Sequence, residues 1–254
     1  MANIMKTRLD PSQHHKTKNA RGFMHPISNI GREFIFFSKT ASPTIDMGCA
    51  YGNTVIAALE AGAQDVIACD MEEEHLRDLS DQLSESEQQR VTTKQGVFPN
   101  GFDFTPSSIS GIHASLILPY LTEQELDEGL QNFYQWLKPG GKLFVLCYSI
   151  FIKELVNPYF EAEYQKRRDT GRKWPGYLED FSKYSYTDGA PNEHDASAFP
   201  LALHFFDTDV FVRALENLGF IIEFAEYLDG PANGAVEETW HDGREFVGII
   251  ARKP

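Results

Sequence analysis

Short apolar runs rich in β-branched residues alternate with helical periodicities along most of this chain, and that alternation predicts its architecture. PTIDM (43–47), DVIACD (65–70), RVTTKQG (90–96), GIHASLIL (111–118) and KLFVLCYS (142–149) read as five strands. Between them, NTVIAALEAG (53–62), EEEHLRDLSDQL (72–83) and TEQELDEGLQNFYQWL (122–137) carry helical spacing, and NIGREFIFFSK (29–39) supplies a helix ahead of the first strand. Gly62 stops one helix, acidic residues fill the first turn of the next where the helix dipole favours them, and Thr122 with Glu125 forms a capping box. Such β-α alternation predicts parallel strands, right-handed crossovers and helices on both faces.

The rhythm breaks near residue 151 and resumes near 206. FFDTDVFVRALENLGF (205–220) reads as a helix with Asp207 as N-cap and Gly219 as its stop. Two strands follow, FIIEFAEYLD (220–229) and REFVGIIARK (244–253), joined by the turn-rich GPANGAVEETWHDG, so they are expected to pair antiparallel. The expected fold is a doubly wound, Rossmann-like α/β sheet of seven strands, mostly parallel with an antiparallel last strand. Residues 1–254 form one domain in this reading, with a cap at 1–40, a core at 41–150 and 201–254, and an insertion at 151–200. Ten aromatic residues crowd the insertion. Because it follows a strand's C-terminal end it is placed over the crevice where open α/β sheets bind ligands, and it reads as a lid or as an insertion with a small core of its own.

Composition narrows the class. The formal net charge of -14 disfavours a general binder of polyanions, but it is uneven: residues 1–40 sum to +5 and the remainder to -19. Cys49, Cys69 and Cys147 lack the spacing of a disulfide framework or zinc site. No 18-residue apolar run occurs and the N-terminus has no signal-peptide core, so the chain reads as cytoplasmic, with no membrane partner.

The candidate chemistry centres on TIDMGCAYGNTV (44–55). A dinucleotide loop requires G-x-G-x-x-G, yet Ala50 and Asn53 replace two of the glycines, and no Gly-Lys-Ser/Thr triphosphate cradle exists. Asp46 stands at the mouth of the first strand, and Asp70 ends the second, 24 residues later, where an acid takes ribose hydroxyls. A ribose-bearing cation suits the two acids better than a polyphosphate.

Asp46-Met-Gly48-Cys-Ala50-Tyr-Gly52 resembles the first motif of class I S-adenosylmethionine-dependent methyltransferases, Asp70 falls at their ribose-binding acid, and Leu137-Lys-Pro139-Gly140-Gly141 resembles the turn into their fifth strand. The late segment ALHFFDTDVFVRALENLGFIIEF is similar to their small-molecule (methyltransferase type 11/12-like) branch. The resemblance covers roughly 41–150 and 201–254. It implies S-adenosylmethionine as cofactor, held by Asp46, Gly48, Cys49, Ala50, Gly52, Asp70, Met71, Val97, Phe98, Ser115 and Leu116. Three departures stand out. Ala50 replaces the central glycine, Gly96-Val97 replaces Gly-Asp after the third strand, and Ser110-Gly111 replaces Phe-Asp before the fourth. Adenine recognition then falls to backbone groups and to Val97 or Phe98. Leu118-Pro119-Tyr120 lacks the amide of the amino-methylating Asn-Pro-Pro-Tyr motif, so a base or glutamine methylase is set aside.

Methyl transfer is an in-line displacement from an activated donor, for which alignment supplies much of the acceleration; a catalytic triad is unnecessary and no catalytic residue is assigned. Tyr120, Tyr148 and His204, at strand ends and before the late helix, are candidate contacts to a small-molecule acceptor. His113, inside a strand, reads as a core histidine, and His14, His15 and His194 as exposed ones. Arg167, Arg168, Arg172 and Lys173 form a basic cluster, either a substrate-anion site or a solvated face beside Glu161, Glu163 and Asp169. No metal site is expected. The alternatives are an RNA- or protein-directed methyltransferase, or a non-catalytic binding module, using the basic first forty residues; oligomeric state is not readable.

Overall fold

A computed structural model describes residues 15–16, 23–153, 155–185, 201–230 and 242–254. Two short strands, β1 (His15–Lys16) and β2 (Phe23–Met24), pair antiparallel ahead of α1 (Asn29–Ser38), which the Ser28 hydroxyl caps by accepting Gly31 N–H at 3.0 Å. Then come β3 (Thr44–Met47), α2 (Asn53–Glu60), β4 (Val66–Asp70), α3 (Glu73–Gln82), the single-turn α4 (Glu85–Gln88), β5 (Val91–Gln95) and β6 (Ile109–Ser115). The capping box predicted at Thr122 and Glu125 opens α5 (Glu123–Trp136), followed by β7 (Leu137–Tyr148). The insertion contributes α6 (Tyr159–Asp169) and a minimal antiparallel pair, β8 (Tyr177–Leu178) with β9 (Leu203–His204). Asp207 caps α7 (Thr208–Asn217), Gly219 turns the chain at φ 98°, and β10 (Ile221–Leu228) and β11 (Phe246–Arg252) close the fold.

Seven strands form one sheet in the order β10-β11-β7-β6-β3-β4-β5. The β3–β4, β3–β6, β4–β5 and β6–β7 pairs are parallel, whereas β11 runs antiparallel to both of its neighbours. The strand order reverses between β3 and β6, so the crevice for a ligand lies beyond their C-terminal ends.

One sheet face packs on α5 and α7, where Phe133, Trp136, Phe211 and Leu215 meet Ile112, Val145, Cys147 and Val247. The other packs α1 and the insertion together: Ile30 and Phe34 share a cluster with Phe144, Leu146, Tyr148, Phe160, Tyr164, Phe181 and Phe205. The insertion's aromatic residues therefore extend the main core instead of forming a separate one.

Two strand ends differ from the sequence reading by three residues or more. The fourth predicted strand ends at Ser115 instead of Leu118, because Leu116 turns left-handed (φ 55°) and Leu118–Tyr120 coils into a 3₁₀ turn. The fifth begins at Leu137 instead of Lys142, since Leu137 already pairs with Ile109 before the glycine turn. Residues 1–14 and 17–22 of the basic first forty, His14 among them, and His194 lie outside the described residues.

Candidate active site

The β3–α2 loop is built from backbone in unusual conformations. Gly48, Ala50 and Gly52 all lie left-handed, at φ 75°, 47° and 80°. Gly48 N–H and Cys49 N–H both donate to the Cys69 carbonyl, at 2.8 and 2.9 Å, which ties the loop to the end of β4. A Cβ at Gly48 would collide with Ile117 Cγ2, so a side chain there is excluded by contact as well as by φ.

Asp70 joins the loop to α3. Its Oδ2 accepts Ala50 N–H at 2.8 Å, and its Oδ1 accepts Glu72 N–H at 2.9 Å and faces His75 Nδ1 at 3.2 Å. An ionised carboxylate has about four acceptor positions. A ribose would therefore compete for what remains, unlike the unencumbered bidentate contact expected from sequence. Burial lowers the His75 pKa, but hydrogen bonding and charge from Asp70, with Glu72 and Glu74, outweigh it and leave the imidazole more basic than usual. His75 escaped the sequence reading; its position five residues beyond Asp70, in the first turn of a helix, was the available signal.

Asp46 is turned elsewhere than expected. It is buried, and its Oδ1 lies 2.7 Å from Nδ1 of His113, its direct partner across the β3–β6 ladder. Phe34 of α1 stacks on the His113 ring at 5.1 Å, and His113 Nε2 is buried with no hydrogen-bond partner among the described residues. The strand register that makes these two residues neighbours is not readable from single-strand patterns, which is why Asp46 looked open to a cation.

The remaining sequence candidates separate into two groups. Met71 and Val97 follow adjacent strands β4 and β5 and are 53% and 61% exposed, leaving an apolar flank beside Asp70. Ser115 is half-buried at the end of β6. Phe98 instead turns inward, stacking on Phe133 at 4.7 Å with its ring against Gly129. Leu116 is buried in the core beneath α1, and the buried Cys49 thiol is pushed well above its usual pKa by desolvation and then by Asp46 and Asp70.

On the other side of the crevice, Tyr120 and Tyr148 come together. Burial raises the pKa of the Tyr120 hydroxyl, partly offset by a hydrogen bond with Tyr148, while the Tyr120 residue remains 44% exposed overall. His204, on β9, packs behind the Leu118–Tyr120 turn. Its ring stacks on Phe206 at 4.6 Å, meets Trp174 edge-on at 5.4 Å and donates to the Leu121 carbonyl, leaving Nδ1 buried without a partner among the described residues. Burial, then the charge of Arg172, holds its pKa down at about 3, so it is neutral near pH 7.

The basic cluster is fully committed to protein acids or carbonyls. Arg168 bridges Asp207 (3.1 Å) and Asp209 (3.2 Å), Arg172 meets Glu123 (3.1 Å) and Lys173 meets Asp127 (2.6 Å), while Arg167 binds Glu163 and the Tyr177 carbonyl, both at 2.7 Å. It is therefore not an open site for a substrate anion.

The family model described as a methyltransferase domain matches residues 45–141, spanning the β3–α2 loop, Asp70 and the β6 end just described. Residues 45–141 therefore match a methyltransferase domain. No curated protein matches the chain in sequence. Solved structures extend the likeness in fold beyond the domain match. An S-adenosylmethionine-dependent methyltransferase from Mesorhizobium loti is 18% identical, with 88% of this chain and 98% of that chain covered and a TM-score of 0.60. A glycopeptide N-methyltransferase complexed with S-adenosylhomocysteine is 16% identical over 88% of each chain, TM-score 0.57. The 1,6-didemethyltoxoflavin N1-methyltransferase of Burkholderia thailandensis is 14% identical over 89% of this chain and 79% of that one, TM-score 0.55.

The methyltransferase domain fits its cofactor on three observations. The left-handed loop leaves no side chain at Gly48, the Asp70 carboxylate stands at the end of β4, and Met71 with Val97 offers apolar surface of the kind an adenine ring covers. The cofactor supplies a methyl group activated on a sulfonium.

Proposed function

We propose that this methyltransferase acts on a small molecule enclosed beneath the 151–200 insertion, which serves as a lid. The carrying observation is the Tyr120–Tyr148 hydroxyl pair beyond the ends of β6 and β7, with an open cleft of about 480 Å³ nearby between α6 and the segment just beyond β7, lined by Ile150, Phe151, Tyr164, Arg168 and Asp207 among others. That volume lies in the ordinary range for small-molecule sites, roughly 300 to 1,000 Å³. Ion pairs tie the lid to α5 through Glu123 and Asp127 and to α7 through Asp207 and Asp209. A formal charge of -14 also speaks against a polyanionic acceptor.

In this reading the cofactor contacts come from the Gly48–Gly52 loop backbone, including Cys49 and Ala50, and from Asp70, Met71, Val97 and Ser115, while Asp46, paired with His113, supports the loop from beneath, Leu116 supports the β6 end and Phe98 supports α5. Tyr120 and Tyr148 hold the acceptor through their hydroxyls, and burial, by raising the Tyr120 pKa further above neutrality, keeps that hydroxyl protonated. His204 braces their turn from behind. The chain's contribution is alignment and exclusion of water.

The test is to supply methyl-labelled S-adenosylmethionine with either a small-metabolite fraction or total RNA. The expected outcome is label in small molecules, reduced about tenfold or more by Ala162→Trp, which narrows the cavity, with S-adenosylhomocysteine affinity unchanged. Label in RNA, abolished by deletion of residues 1–22, which leaves α1 and its core contacts in place, would instead favour the RNA-directed reading.

A further inference from the structure

Asp70 is held from three sides, and one of its partners can change charge. Ala50 N–H and Glu72 N–H are permanent donors, at 2.8 and 2.9 Å, but the third partner is the His75 imidazole, 3.2 Å from Oδ1. Both side chains are almost fully buried, 5% exposed for His75 and 8% for Asp70. That contact is a hydrogen bond only if Nδ1 carries a proton, which leaves Nε2 as a bare lone pair in the neutral ring and as a second N–H in the cation. Nε2 is buried and has no hydrogen-bond partner among the described residues. The Nδ1–H bond to Asp70 thus persists in both forms, and the proton gained or lost at Nε2 changes the ring's charge, whose nearest acid is the Asp70 carboxylate.

We infer that His75 is a proton switch on the cofactor site: charged, it binds Asp70 more tightly and places a positive charge beside a cationic ligand; neutral, it keeps the Nδ1–H bond but withdraws that charge, so that the carboxylate accepts ribose hydroxyls more readily. This inference rests on the S-adenosylmethionine assignment. His75 is a positioning residue in it, acting only through Asp70.

The groups facing His75 define the expected sign. Asp70 comes from β4, Glu72 and Glu74 lie at the start of α3, Asp78 is one turn along the same helix, and the Tyr51 ring of the β3–α2 loop packs edge-on at 5.0 Å. Cys49 and Cys69 flank Asp70, but burial pushes both thiols up, Cys69 to about 12, so neither titrates near neutrality. The surrounding acids extend the charged form of His75 to higher pH than an ordinary histidine. A ligand that draws on Asp70 weakens the hold on that proton, and by reciprocity loss of the proton strengthens ligand binding. Affinity therefore rises with pH through the His75 titration.

The experiment is isothermal titration calorimetry of the full chain with S-adenosylhomocysteine at several pH values between about 5.5 and 8.5, in two buffers of different ionisation heat. Wild type is expected to bind about tenfold more tightly at pH 8 than at pH 6 and to release protons. His75→Gln is expected to lose that dependence; the ligand's own amine titrates alike in both arms, so the difference isolates His75. Should His75→Gln fail to fold, the imidazole of wild-type His75 is titrated by NMR with and without the ligand, and its pKa is expected to fall on binding. A pH-independent wild type, a His75→Gln curve parallel to it, or an unmoved NMR titration overturns the inference. Absence of binding at every pH overturns the cofactor assignment and the inference with it.

Discussion

Ala50 occupies a left-handed backbone position that the family fills with glycine, and the Ala50 N–H bond to Asp70 holds it there. A Cβ in that region costs roughly 1 to 2 kcal/mol, part of which glycine's greater unfolded entropy offsets. Ala50→Gly is therefore expected to raise unfolding stability by about 1 kcal/mol, read from urea denaturation midpoints. The pKa of His204 is shifted in the opposite direction to that of His75. Its folded pKa, near 3, lies far below that of an exposed imidazole at about 6.5, so the unfolded chain binds a proton that the folded chain refuses. Its contribution to stability is complete above about pH 6.5 and is lost as pH falls toward 3. His204→Phe, close in shape and stacked alike on Phe206, should flatten the acid limb of stability against pH; an unchanged limb would remove His204 as its cause.

At the scale of elements, the strand and helix order was legible because each run carried its own period, stop and cap, as with Thr122, Asp207 and Gly219. What was not legible depends on neighbours distant in sequence. The Asp46–His113 pair exists only through the β3–β6 register, and the inward turn of Phe98 through the face of α5 that Gly129 leaves open. Helix α6 was hidden for a different reason: its apolar residues Phe160 and Tyr164 are few, and most of its surface is charged. The lid's ion pairs are partly exposed, and pairs of this kind contribute roughly 0 to 1 kcal/mol each. Arg168→Ala combined with Arg172→Ala should accordingly lower global stability only slightly while accelerating amide exchange in α6. Equal protection of α6 in the variant and wild type would show that apolar packing alone seats the lid.

For the whole molecule, the order of the strands reverses between the parallel neighbours β3 and β6, and a left-handed loop, a carboxylate and two exposed apolar side chains gather at one mouth. The described part of the insertion shares the core of α1 and β7. Among the described residues no helix is long and apolar enough to cross a membrane. The motif order Asp46 to Gly52, Asp70 and Leu137 to Gly141 made the cofactor readable from sequence, whereas the partners that occupy Asp70 required coordinates. Asp70 therefore carries the account. Its most direct test is calorimetric titration of S-adenosylmethionine into wild type and into Asp70→Ala, with folding of both checked by circular dichroism. The account predicts a single site in wild type and a loss of about 1 to 3 kcal/mol in the variant, the cost of leaving ribose hydroxyls unpaired. Unchanged affinity in a folded Asp70→Ala variant would contradict it.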